Sequence, residues 1–260
     1  VEKATNGKVD VQIYPGSQLG GEERSFQDIQ QGVIQIASLA VNNVTVFSPS
    51  MGVFDLPYMF TNYEDCYKLI DQNWDEINKR MIAESGNMAV GWLVQGFRVL
   101  SNSKHPIRTV EDLKGLKIRV PNNPVMINTF RAWGCEPTPL AWDETFNALQ
   151  QKVVDGQENS YVVFASNKFE EVQKYMTELR YKLQIIVMVV NDTWLKKQPA
   201  DIQQAILEGG RLATKHNREM IMAMEARLKP AMKKAGVEIL DKPEDENVWE
   251  EKAMALWPDL

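Results

Sequence analysis

The sequence predicts an α/β fold arranged as two lobes, on three observations. Strand-like and helix-like stretches alternate along the chain. A strongly apolar, β-branched run spans Leu183–Val190 and reads as a central strand buried on both faces. One periodic apolar pattern extends from Pro199 to Ala235, opening on Pro199 and Asp201 and closing on Lys233, Lys234 and Gly236. A helix of that length is roughly 55 Å long at about 1.5 Å per residue, more than one small lobe needs. It either bridges two lobes or breaks at Gly209-Gly210 or Pro230; the bridge is preferred. No flexible linker separates two lobes, so they would share crossing segments, as hinged binding proteins do.

The remaining elements follow in order. Val9, Val11 and Ile13 alternate with polar residues and predict a half-buried strand closed by Tyr14-Pro15-Gly16. Glu22 and Glu23 suit the first turn of a helix that Gly32 closes, and Val33–Leu39 reads as a buried strand. Strand, helix, strand in this order predicts a βαβ unit in a parallel sheet. The loop that follows carries Ser48 and Asp55 among Phe47, Phe54, Tyr58 and Phe60, and these aromatics either line a pocket or pack the loop down. Helical spacing covers Asn62–Ser85, and strands are expected at Met88–Leu93 and Val99–Asn102. Thr109–Gly115 looks like a capped short helix, followed by a strand over Leu116–Val120. On that strand Leu116, Ile118 and Val120 share one face, and Lys117 and Arg119 the other. Helices are expected at Pro124–Trp133, Asp143–Gln151 and Phe169–Tyr175, with a short strand at Lys152–Val154.

Composition narrows the function. The 260 residues are 44% hydrophobic and 25% charged, ordinary for a soluble globular protein. A net charge of −6 with no basic run argues against a nucleic-acid partner. Cys66 and Cys135 have no CxxC spacing and read better as buried free thiols than as a bridge. No stretch reaches the ~18 apolar residues of a membrane span. The chain opens without an initiator methionine or apolar leader, so a signal peptide and some mature sequence are expected to precede Val1.

Catalytic signatures are missing: no GxSxG, GxxxxGK, GxGxxG or HExxH occurs. His105 and His216 have no ligand-like spacing, so neither a metal site nor a cofactor is expected. What remains suits binding. Arg119 ends a strand where the chain turns away, the edge at which open α/β sheets hold ligands. Its planar fork matches a carboxylate, although a lone strand arginine reads first as a surface ion pair.

The segments LKIRVP, PTPLAW and VVDGQENS, with YPGSQLGGEER, FDLPYMF and FEEVQKYMTEL in the same order, resemble the substrate-binding subunits of tripartite ATP-independent periplasmic (TRAP) transporters, the DctP-like family. The resemblance covers nearly the whole chain. It implies a type II periplasmic-binding-protein fold with hinge strands and a long helix spanning both lobes. The lobes are expected at 1–96 with about 185–224, and at 97–184 with about 225–260. It also implies that Arg119 grips the solute carboxylate, aided by Arg98 and Asn159, with Trp142 against the solute body. Glu22, Phe47, Ser48, Asn122 and Tyr161 are further candidates, and Asn123 and Phe164 flank them; helix capping or packing explains each as readily. The implied protein is no enzyme but a monomeric periplasmic receptor for a small organic acid, with a slight lean to a sugar acid, which docks on TRAP membrane subunits. The rival readings are a sensory ligand-binding module and, less favoured, an enzyme acting on small carboxylic acids.

Overall fold

The computed structural model describes residues 1–259, and its chain order is helix-rich with short strands. The elements are α1 (Glu22–Gln30), β1 (Ile36–Ala40), α2 (Val41–Val44), α3 (Tyr63–Ser85), β2 (Asn87–Asn102), β3 (Lys117–Val120), α4 (Pro124–Ala132) and β4 (Glu136–Pro139). They continue with α5 (Thr145–Gln150), β5 (Gly156–Ser160), α6 (Tyr161–Ser166), β6 (Tyr175–Thr177), β7 (Leu183–Asn191), α7 (Asp192–Lys196), α8 (Ala200–Lys234), β8 (Glu238–Leu240) and α9 (Glu246–Met254). The chain forms two compact units, Val1–Met51 with Lys68–Val94 and Ile185–Met220, and Gly52–Tyr67 with Gln95–Gln184 and Ile221–Leu260. Residues 52–67, grouped by sequence with the first lobe, cluster with the second unit.

In the first unit β7 lies beside β1 and β2. β1 pairs with β7 antiparallel, Ile36 opposite Val190 and Ala40 opposite Ile186, which corrects the expected parallel βαβ unit. The predicted strand at Val9–Ile13 does not form, and Val11 and Ile13 are exposed. Alternation holds a strand only when an edge is there to pair with and one face is covered. β7 is buried on both faces as expected. Its neighbour β2 runs unbroken over 16 residues, where two strands were expected. Gly96 carries it through at φ +105°, a conformation that side chains rarely adopt.

Helix α8 is continuous despite Gly209-Gly210 and Pro230, and its residues up to Met220 belong to the first unit. Gly210 is why its first half can lie on β2. A Cβ on Gly210 would sit 1.8 Å from Val90 O. The helix also serves the strand's polar groups: Trp92 N donates to Thr214 Oγ1 at 2.9 Å, and Asn217 bonds both Val94 N and Val94 O, at 2.8 and 3.0 Å.

The second unit joins β2's far half to β5 antiparallel, with β3 and β4 beyond it running parallel to one another. Its strand β5 starts at Gly156, so the strand expected at Lys152–Val154 is a turn. Phe169–Glu171 is a single 3-10 turn leading into β6, not a helix reaching Tyr175. One apolar cluster gathers edge-to-face rings of Phe130, Trp133, Tyr181 and Trp249. A second packs Val99, Leu149, Phe164, Phe169 and Met232. Cys66 and Cys135 are both buried and form no disulfide with each other, and burial pushes the Cys135 thiol up to about 12. No described helix is long and apolar enough to cross a membrane.

The close approach of α8 is directly testable. Gly210→Ala must push helix from strand, and it is expected to cost about 3 kcal/mol or more. Urea denaturation measures this; a loss under about 1 kcal/mol would mean the helix is free to shift.

Candidate functional site

The site is built where β3 and β5 end side by side. The strands are parallel, with Ile118 opposite Gly156 and Arg119 opposite Gln157. Neighbours in register share a face and faces alternate along a strand, so Arg119, Gln157 and Asn159 lie on one side. β2 flanks β5 with Val99 opposite Asn159 and Arg98 opposite Ser160, which sets Arg98 with Glu158 on the alternate side. Gly156 permits this spacing, because a Cβ there would meet Ser101 O at 2.2 Å.

Arg119 is 3% exposed, so the surface ion pair that its type alone suggests is not its role here. Its Nε and Nη2 donate to Leu140 O at 3.1 and 2.6 Å. Leu140 follows β4, so the guanidinium holds the loop that carries Trp142. The Trp142 ring centroid lies 5.8 Å from Arg119 Cζ, within cation–π reach. The same ring meets Phe169 at 5.8 Å, which braces it from the core. Asn159 is buried, with Oδ1 accepting from Ser160 N at 3.0 Å.

Arg98 is placed differently from expectation. It is 1% exposed, and its guanidinium is engaged inside the unit. Nε and Nη2 donate to the two Glu158 carboxylate oxygens, Nη2 also to Glu158 O at 2.9 Å, and Nη1 to Gln184 Oε1. Tyr181 adds a hydroxyl donor to Glu158 at 2.8 Å. Burial opposes the Arg98 charge, but Glu158 outweighs it and raises the guanidinium pKa. Burial, then Glu158, pushes the Tyr181 hydroxyl well above the phenol range.

The other candidates have defined partners. Tyr161 donates to Glu178 at 2.7 Å, and burial together with that carboxylate raises its pKa. Ser48, fully buried in the first unit, donates to Glu84. Burial works to raise the Glu84 pKa, yet hydrogen bonds from Ser48 and Ser50 bring it below the usual value. Both hydroxyl protons are thus spent on carboxylates, and Tyr161 and Ser48, candidates for shaping the pocket, each hold a structural partner. Phe47 stacks on Phe26, centroids 4.6 Å apart. Glu22 accepts from Ala40 N at 3.1 Å and from Asn43 Nδ2, tying α1 to the turn after β1. Asn122 is exposed beyond β3, whereas Asn123 is buried and caps α4. Sequence reasoning passed over Glu158, Tyr181, Lys182 and Gln184. Only a charged or amide residue inside a run destined for burial could have marked them.

A two-unit α/β receptor with an arginine and a tryptophan at paired strand ends is the class these features define. The chain belongs to the bacterial extracellular solute-binding protein family 7 (DctP), whose model matches residues 1–260. Solved structures agree with this. A TRAP periplasmic solute-binding protein from Rhodobacter sphaeroides, in an open form without ligand, is 42% identical, covers 99% of this chain and 84% of its own, and has a TM-score of 0.81. One from Polaromonas sp. JS666, bound to D-erythronate, is 30% identical over 99% of this chain and 85% of its own, with a TM-score of 0.94. One from Sulfurospirillum deleyianum, bound to succinate, is 30% identical with the same coverages and a TM-score of 0.92.

The buried pair gives a stability prediction. Glu158→Leu leaves the Arg98 cation buried without its carboxylate and is expected to cost about 3–5 kcal/mol. The double variant Arg98→Met/Glu158→Leu should recover at least half of that in urea titrations. Equal loss in the two variants would show that shape, not charge pairing, sets the cost.

Proposed function

We propose that this protein is a periplasmic receptor that captures one small organic acid anion and hands it to a TRAP-type secondary transporter. The observation that carries the reading is Arg119, a buried guanidinium at a strand end with Trp142 over it and Asn159 on the same face. A guanidinium meets a carboxylate with two charge-assisted hydrogen bonds, stronger where water is excluded. Asn159 then supplies an amide hydrogen bond, and the indole of Trp142 covers the apolar edge of the solute. Arg98 serves this site from the other face of the sheet, where its pairing with Glu158 holds the strand that carries Asn159.

D-Erythronate and succinate, held by the two relatives above, share a carboxylate and differ in the rest. Arg119 reads the shared part. The amides of Asn159 and the exposed Asn122 favour a hydroxylated acid, which makes a sugar acid the preferred solute. The protein acts by binding and release as a monomer, without turnover, and TRAP membrane subunits are its docking partners.

Isothermal titration of wild type, Arg119→Lys and Arg119→Ala against D-erythronate, succinate and a panel of aldonates and uronates tests this. Arg119→Ala should lose about 2–5 kcal/mol of binding. Arg119→Lys should keep only part, because an ammonium lacks the planar fork. Wild-type affinity in Arg119→Ala would refute the carboxylate role.

A further inference from the structure

Three segments of the second unit converge on one carboxylate that the site described above does not use. Asp55 is fully buried, at the end of the 3-10 turn Pro49–Asp55. Its Oδ1 lies 2.7 Å from Lys182 Nζ, and its Oδ2 accepts from Asn123 Nδ2 at 2.8 Å. Lys182 is 2% exposed and stands just before β7; Asn123 is fully buried in the turn between β3 and α4. Asn123 in turn receives Met126 N on its Oδ1 at 3.1 Å, which starts α4, and its own N donates to Pro121 O at 2.8 Å. The Lys182 backbone is tied as well, its carbonyl accepting from Arg98 N at 2.9 Å.

A buried ammonium is costly, and here burial pulls the Lys182 pKa down against the opposing pull of Asp55. Packed hydrophobic residues of like volume often serve stability as well as a buried pair, or better. The distinctive property of this pair is its geometry: both carboxylate oxygens are aimed, one at the base of β7 and one at the β3–α4 turn. That turn carries Asn122 and begins directly after the strand of Arg119.

We propose that Asp55 and Lys182 are positioning residues whose ion pair fixes the β3–α4 turn, and through it the backbone bearing Arg119 and Asn122. The geometry stands by itself; only its value for solute capture rests on the carboxylate reading of Arg119. Lys182 anchors Asp55, Asp55 orients the Asn123 side chain, and Asn123 sets where α4 starts. A network of this kind is rigid only while every member is satisfied.

Hydrogen–deuterium exchange on the whole protein, with no solute added, tests the proposal in wild type, Lys182→Met and Asp55→Asn/Lys182→Met. In Lys182→Met the amides of Asn123, Met126 and Ile127 should exchange at least tenfold faster, relative to α3 amides of the first unit. The double variant should return toward wild-type protection, because a neutral amide still accepts from Asn123 Nδ2 without needing a cation. Should Lys182→Met fail to fold, Asp55→Asn alone takes its place, since one amide oxygen cannot serve both partners as the carboxylate does. Unchanged exchange at the turn, or acceleration equal to that of α3, would overturn the positioning role and leave a purely structural pair. Because no solute is present, this result is independent of the Arg119→Ala titration, and either reading can fail without the other.

Discussion

The parallel register of β3 against β5 is the constraint on which the rest of the second unit turns. It sets Arg119 opposite Gln157 and brings Asn159 to the same face one step further on. A slip of one residue between the strands would put Arg119 on one face of the sheet and Gln157 and Asn159 on the other. Gly156 pins the register, because Ser101 O occupies the space that any side chain there would need. The loop after β4 completes the arrangement, with Leu140 O closing onto the arginine and Trp142 laid over it.

Behind that face the unit keeps its charges in matched sets. Arg98 answers Glu158 and Lys182 answers Asp55, all four nearly inaccessible to water. Paired in this way they exert short-range, dipolar fields, and their energy depends on shape rather than on salt. Carboxylates also take up buried hydroxyl protons, as Glu178 does from Tyr161 and Glu158 from Tyr181. These residues hold the scaffold still, and a receptor needs that more than it needs reactive groups.

Sequence reading reached the long elements. Helices α3 and α8 and strand β7 each carry enough periodic or continuous apolar character to define themselves. Arg119 stands out by residue type at a strand end, and Trp142 and Asn159 by family resemblance. What escaped was non-local. Val9–Ile13 alternates like a strand, but its alternation says nothing about whether an edge is present to receive it. β1 pairs antiparallel because β7 arrives from far along the chain in that direction. Gly96 looked like a break between two strands, yet glycine's freedom at positive φ lets one strand continue. Lys182 precedes an apolar run as any polar residue might, and nothing nearby in sequence points to Asp55.

The Asp55–Lys182 pair also bears on how such a chain can change over generations. Losing either partner alone strands a charge in the interior, so the intermediate between a charged and an apolar version of this spot is less fit than both. The two positions can therefore be exchanged for apolar residues only together, despite their distance along the chain.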